Sequence, residues 1–134
     1  LEQATTYYRE NYEPSERYPE PYCIAAVNVI AAETAEEADQ QEKVVHRERV
    51  RNLIGRRGTP LSDEQLDSVV ESYQGKQIID MLRYTAKGTG KDVAEYLNWF
   101  KHHAKADELM ISLQAPSHPD VLRSMEILAD QLEP

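Results

Sequence analysis

Between Tyr22 and Ala32 the chain is apolar at every position but one: Cys23, Ile24, Ala25, Ala26, Val27, Val29, Ile30 and Ala31 are interrupted only by Asn28. A strand with one wet face alternates apolar and polar residues, whereas a run like this one predicts a parallel strand covered on both faces. No turn residue separates it from Glu33-Thr34-Ala35-Glu36-Glu37. Thr34 followed three residues later by Glu37 has the spacing of a capping box, so the strand feeds directly into a helix. Apolar residues at Ala35, Ala38, Val45, Leu53 and Ile54 carry that helix to about Ile54, where Gly55 and Gly58 predict its end.

The rest of the chain repeats the alternation. Residues 1–12 read as the end of a helix, and Pro14, Pro19 and Pro21 break it into an extended connector. Ser62 with Gln65 is a second capping box before a helix through Leu66, Val69 and Val70, and residues 55–80 as a whole read as a helical insertion. From Gln74 to Tyr84 the apolar residues fit both periods, predicting a helix at the start and a short strand near Tyr84–Ala86. Gly88-Thr89-Gly90 precedes an amphipathic helix from about Lys91, with Val93, Leu97 and Phe100 inward and Tyr96 and Trp99 beside them. Residues 106–113 predict a second buried strand, and Ser117 opens a last helix with Val121, Leu122, Met125, Ile127, Leu128 and Leu132 on its apolar face. A succession of βα units without a hairpin predicts an α/β protein, with ligands at the carboxyl ends of its strands.

At 134 residues the chain has the size of one domain. It starts at Leu1 within a helical pattern, which reads as a cut or processed end. A formal charge of -9 argues against nonspecific nucleic-acid binding, which needs a basic face. One basic cluster stands apart: Lys43, Arg47, Arg49, Arg51, Arg56 and Arg57 crowd the end of the long helix. Cations there complement the negative end of the helix dipole, and a phosphate or other anion contact is the alternative. The single Cys23 reads as an inert buried thiol. No apolar run approaches the ~20 residues of a membrane span, and no secretory signal pattern opens the chain, so a cytoplasmic protein is expected.

Motifs for chemistry are sparse. Gly88-Thr89-Gly90-Lys91 lacks the Gly at 85 and the Ser or Thr at 92 that a Walker loop requires, since Thr85 and Asp92 stand there. Thr89 is read instead as a helix cap. His102 and His103 are adjacent and diverge by about 100° on a helix, so no metal site is expected. Glu36, Glu37, Asp39, Asp63 and Glu64 occupy first turns, where capping and the dipole account for them. Tyr7, Tyr8, Tyr12, Tyr18 and Tyr22 predict a helix and connector packed onto a core.

Several stretches taken together resemble a known family. Tyr8-Arg9-Glu10-Asn11-Tyr12-Glu13-Pro14-Ser15, Glu20-Pro21-Tyr22 and Val27-Asn28-Val29-Ile30-Ala31-Ala32-Glu33-Thr34 with Glu36-Glu37-Ala38 are similar to the distal part of bacterial luciferase-like, flavin-dependent monooxygenases. Gly88-Thr89 before Val93, Ala106-Asp107-Glu108-Leu109-Met110 and Leu122-Arg123-Ser124-Met125-Glu126-Ile127-Leu128-Ala129 resemble that family's final two βα units, in the same order. One departure is Gly90, where many relatives carry Pro, which loosens the start of that helix.

The resemblance implies the last three βα units of a (β/α)8 TIM-type barrel, an incomplete barrel fragment occupying residues 1–134 with 55–80 as its insertion. It implies reduced FMN as cofactor, with F420 as the less favoured choice, a flavin reductase as partner, and oxygen insertion into an organic substrate. Most flavin contacts of the family lie upstream of the matched segment, so no catalytic or cofactor-binding residue is assigned, no cofactor is expected on this chain alone, and the fragment is expected to be inactive by itself. Barrel sites sit at the carboxyl ends of strands, which singles out Ser112 and Gln114 as the substrate pocket rim. Exposed strand edges predict association with the missing N-terminal barrel half or with further copies of the chain. Nucleic acid and membrane are not expected as partners. A small α/β binding or regulatory module acting through a protein partner is the alternative.

Overall fold

The computed structural model describes residues 1–54 and 60–132, and the expectations for Gly55, Arg56, Arg57 and Gly58 and for the Leu132 side chain lie outside them. The elements run α1 (Glu2–Glu10), β1 (Ile24–Ala31), α2 (Ala35–Ile54), α3 (Asp63–Glu71), α4 (Tyr73–Asp80), β2 (Thr85–Gly88), α5 (Gly90–Ala104), β3 (Glu108–Leu113) and α6 (His118–Leu132). The three strands form one parallel sheet in the order β2-β1-β3. The protein is therefore of the mixed α/β class, as its patterning predicts.

Consecutive strands of a (β/α)8 barrel lie side by side in chain order, which would put the second strand in the middle. Here the first strand is central. The connection from β1 to β2 steps one way and that from β2 to β3 steps back across β1. Right-handed crossovers running in opposite directions place their helices on opposite faces of a sheet, and the core follows that division. Ala25, Val27, Val29 and Ala31 pack with Ala86 against Val93, Leu97 and Phe100 of α5 and Ile127 and Leu128 of α6. Ile30 and Ala32 pack against Ala38 and Val45 of α2.

Two expectations need correcting. The run from Tyr22 is not covered on both faces along its whole length: β1 begins at Ile24, and Ile24 and Ala26 point to an open face, with Ile24 50 % exposed. Cover on that side starts only where α2 reaches Ile30. The strand predicted at 106–113 is likewise not buried: it is β3, an edge strand whose residues alternate between exposed and half-buried. Cys23 precedes β1 and is half-buried.

The helix starts are well specified. Ser62 with Gln65 and Thr89 with Asp92 close reciprocal capping boxes. At α2 the Glu37 amide donates to Thr34 Oγ1 at 3.1 Å, while the Glu37 carboxylate accepts from the Glu33 amide at 3.2 Å. The tyrosines near the start pack less than their density predicts. Tyr7, Tyr18 and Tyr22 are exposed, and Tyr8, Tyr12 and Tyr18 brace one another instead, with Tyr12 Oη donating to the Tyr18 carbonyl at 2.9 Å. Trp99 is also exposed and stacks on His103.

Candidate functional site

The sheet register builds a polar row at the carboxyl ends of the strands. Asn28 pairs with Thr85 of β2 on one side and with Ser112 of β3 on the other, so these three residues lie side by side on one face. One step further along that face stand Lys87 and Ile30, and Gln114 just past the end of β3. The Gln114 amide extends the ladder by donating to the Val29 carbonyl at 2.8 Å. Its side-chain Nε2 donates to Ser112 Oγ at 2.9 Å and to Asn28 Oδ1 at 3.3 Å. Ser112 and Gln114 are thus brought together, and the structure adds Asn28 to them. The signal for Asn28 was the one polar residue in an apolar strand: a buried strand carries an amide there only where the amide has a partner.

Below this row the same face is apolar and open, with Ala26 beside Met110 and Ile24 beside Glu108. Above it Lys87 donates to Asp39 at 2.8 Å and to Glu42 at 2.7 Å. Partial burial opposes the Lys87 charge, but the hydrogen bonds to these two carboxylates outweigh it and raise its pKa. The same hydrogen bond holds the Asp39 carboxyl below its ordinary range. His46, one turn beyond Glu42, is shifted down by burial, with Glu42 pulling the other way. The lysine is therefore a neutralised structural cation, not a proton donor.

A cleft of about 490 Å³ opens between α2 and the loop after β3, lined by Val45, Arg49 and Asn52 on one side and Leu113, Gln114 and Pro116 on the other. Gln114 thus faces both the polar row and this cleft.

The turn Gly88-Thr89-Gly90 is built as the cap of α5. Asp92 accepts from the Thr89 amide at 2.9 Å and from its hydroxyl at 2.7 Å, and the Asp92 amide donates to Thr89 Oγ1 at 3.4 Å. Gly88 has φ +133, and Gly90 is packed so closely on α6 that a Cβ would lie 2.6 Å from Gln131 Cγ. The absence of Pro at position 90 therefore leaves a helix start that is capped and packed. Among the described residues no three His, Cys, Asp or Glu side chains are grouped to hold a metal ion. His102 Nδ1 instead lies 2.7 Å from the carbonyl oxygen of Asn98. Among the described residues no helix is long and apolar enough to cross a membrane.

A three-stranded parallel sheet with polar groups at its carboxyl end defines an α/β protein, and comparison with known proteins narrows it. The crystal structure of apo-MsnO8 has the same fold over 97 % of this chain and 40 % of its own, with a TM-score of 0.69 at 23 % identity. In sequence the chain is 34 % identical over 131 residues to the protein YvbT of Bacillus subtilis and 31 % identical over 140 residues to a luciferase-like monooxygenase of Escherichia coli. These alignments cover 95 % and 99 % of this chain but only 38 % and 40 % of the relatives. The chain thus spans about two fifths of the length of the proteins it resembles. No family model matches it.

Proposed function

We propose that this chain is the C-terminal part of a luciferase-like, flavin-dependent monooxygenase and supplies one wall of its active-site barrel. The observation that carries the reading is the pairing of coverages: nearly all of this chain aligns with a luciferase-like monooxygenase, and only two fifths of that protein is accounted for. In this reading the β1–β3 ladder is barrel wall, α5 and α6 are its outer layer, the open lower part of the other face, bearing Ile24, Ala26 and Met110, looks inward, and α2, with α3 and α4 packed on it, covers the upper part of that inner face as a departure from a plain barrel.

The residues present fit part of a reduced flavin. Ala26 and Met110 offer an apolar surface for a flat ring, and Asn28, Ser112 and Gln114 offer donors and acceptors for a polar ring edge or substrate. The Gly88 turn is a poor cradle for the flavin phosphate, because its Thr89 amide is occupied by Asp92. The main flavin ligands therefore belong to the remaining three fifths of the longer protein, and FMN is favoured over F420. Reduced flavin, regenerated by a separate reductase, supplies the electrons that activate oxygen for insertion into an organic substrate. This chain's own contribution is to orient groups: Gln114 aligns Ser112 and Asn28, and the apolar floor excludes water.

Titration with FMN tests the division of labour. The isolated chain is expected to leave flavin fluorescence nearly unquenched, and tight stoichiometric quenching would show that the account of the missing ligands is wrong. In the longer protein, Gln114→Ala is expected to lower turnover by about tenfold or more through loss of positioning. Unchanged turnover in that variant would remove the polar row from the active site.

A further inference from the structure

We propose that the cleft between α2 and the loop after β3 is a binding site for a phosphate-type oxyanion, with Arg49 as its cation and Asn52 as its hydrogen-bond donor. The structure sorts the basic cluster of α2 into two groups. Arg47 is held by Asp67 at 2.6 Å and Asp63 at 3.2 Å, and Arg51 is held by Glu48 and Asp63, so both are spent on the packing of α2 against α3. Arg49 is on the other side of the helix, in one stripe with Val45 and Asn52, and lines the cleft. Among the described residues it makes no ion pair.

The helix dipole does not explain it. The dipole acts within the last turn, where Arg51 already stands. A half-buried guanidinium without a carboxylate is a poor structural element in a chain of net charge -9, where acidic partners are abundant. It is a good anion receptor, because its planar fork matches two oxygens of an oxyanion. Glu48, the one carboxylate on the cleft wall, is engaged by Arg51 and so is turned to a partner of its own. Asn52 adds a neutral donor beside Arg49, and about 490 Å³ admits a phosphate with a small organic group attached. This inference stands whether or not the monooxygenase reading holds.

Isothermal titration of the full chain at low ionic strength tests it, with inorganic phosphate and ribose 5-phosphate as the two probes. Saturable one-site binding is expected for at least one of them. Arg49→Gln is expected to weaken it by about tenfold or more, the loss of charge-assisted hydrogen bonds, and Arg49→Lys to recover only part of that. Lys43→Gln removes the same charge from an exposed position and is expected to change affinity less than about twofold. Tighter binding of ribose 5-phosphate assigns the cleft to an organic phosphomonoester, and equal binding assigns it to the free ion. Absence of saturable binding, or equal losses in Arg49→Gln and Lys43→Gln, overturns the proposal.

Discussion

Ser124 Oγ, fully buried on α6, donates a 2.8 Å hydrogen bond to the carbonyl of Ala31, the last residue of the central strand. This bond ties the C-terminal helix to the carboxyl end of β1, next to the polar row. It also explains a serine in the middle of an apolar helix face. Ser124→Ala removes the donor and leaves the carbonyl in a dry place. The expected cost is about 1 to 3 kcal/mol, seen as a lower urea midpoint at unchanged slope. An unchanged midpoint would mean that the carbonyl finds another donor.

At the opposite end of the sheet Asp107 gathers three elements. Its Oδ2 accepts from the Cys23 amide at 2.8 Å and from Arg9 of α1 at 2.6 Å, and Arg9 also donates to the Lys105 carbonyl at 2.8 Å. The Cys23 amide first, and then Arg9, hold the Asp107 carboxyl below its ordinary range. A lowered folded value means that the unfolded chain takes up protons first as pH falls. The contribution is therefore complete above the unfolded carboxylate value near pH 4 and is lost as pH drops through the folded value. Asp107→Asn keeps an acceptor for the amide but not the charge. Its loss of stability is expected to be present at pH 7 and to vanish in strong acid, a difference that thermal melts across that range will measure.

His46 has the same sign by another route. Burial lowers its pKa, so the folded protein prefers the neutral ring. Stability is expected to be full above the unfolded value of about 6.5 and to fall as pH drops through the folded value. His46→Gln should flatten the stability profile in that window. An identical slope in both proteins would place the titration elsewhere.

The order and kind of elements were legible in the sequence because each helix start carries its own local code: Thr34 with Glu37, Ser62 with Gln65, Thr89 with Asp92. Strand order was not, because pairing is a choice among edges that no local pattern records. Four residues of β2 suffice to pair with the upper half of β1, and that places the first strand in the middle. Burial falls short of what the apolar pattern predicts for a related reason. Apolar character at Ile24, Ala26 and Met110 says that a residue tolerates cover, not that this chain supplies it. At the candidate site, Ser112 and Gln114 are expected at the rim from their place at the end of a strand, whereas Asn28 joins them only through the register. The division of the basic cluster needed helix phase together with the position of α3.

Gly88 closes β2 at φ +133, and a Cβ there would stand 2.7 Å from Asp92 Oδ2, the oxygen that caps α5. Gly88→Ala therefore meets both a backbone penalty and a displaced cap. A loss of about 1 to 3 kcal/mol is expected. Because α5 carries Val93, Leu97 and Phe100 into the main core, amide exchange should quicken along its first turns. Wild-type exchange rates in α5 of the variant would show that the turn relaxes without disturbing the helix.

The open sheet face gives the last prediction. Ile24 and Met110 are 50 % and 60 % exposed, next to Ala26 and beside β3, whose outer edge pairs with no strand among the described residues. Apolar surface beside an unpaired edge favours association, through strand pairing or face-to-face burial. The chain alone is expected to self-associate with rising concentration, as followed by light scattering or sedimentation velocity. Ile24→Ser and Met110→Ser remove apolar area that is already in water, so they should leave the fold intact by circular dichroism. Each is expected to weaken association by about 1 kcal/mol or more, in proportion to the area it withdraws from the contact. A chain that stays monomeric at high concentration would show that this face is not sticky enough to drive assembly. Association unaffected by either substitution would move the contact to another surface.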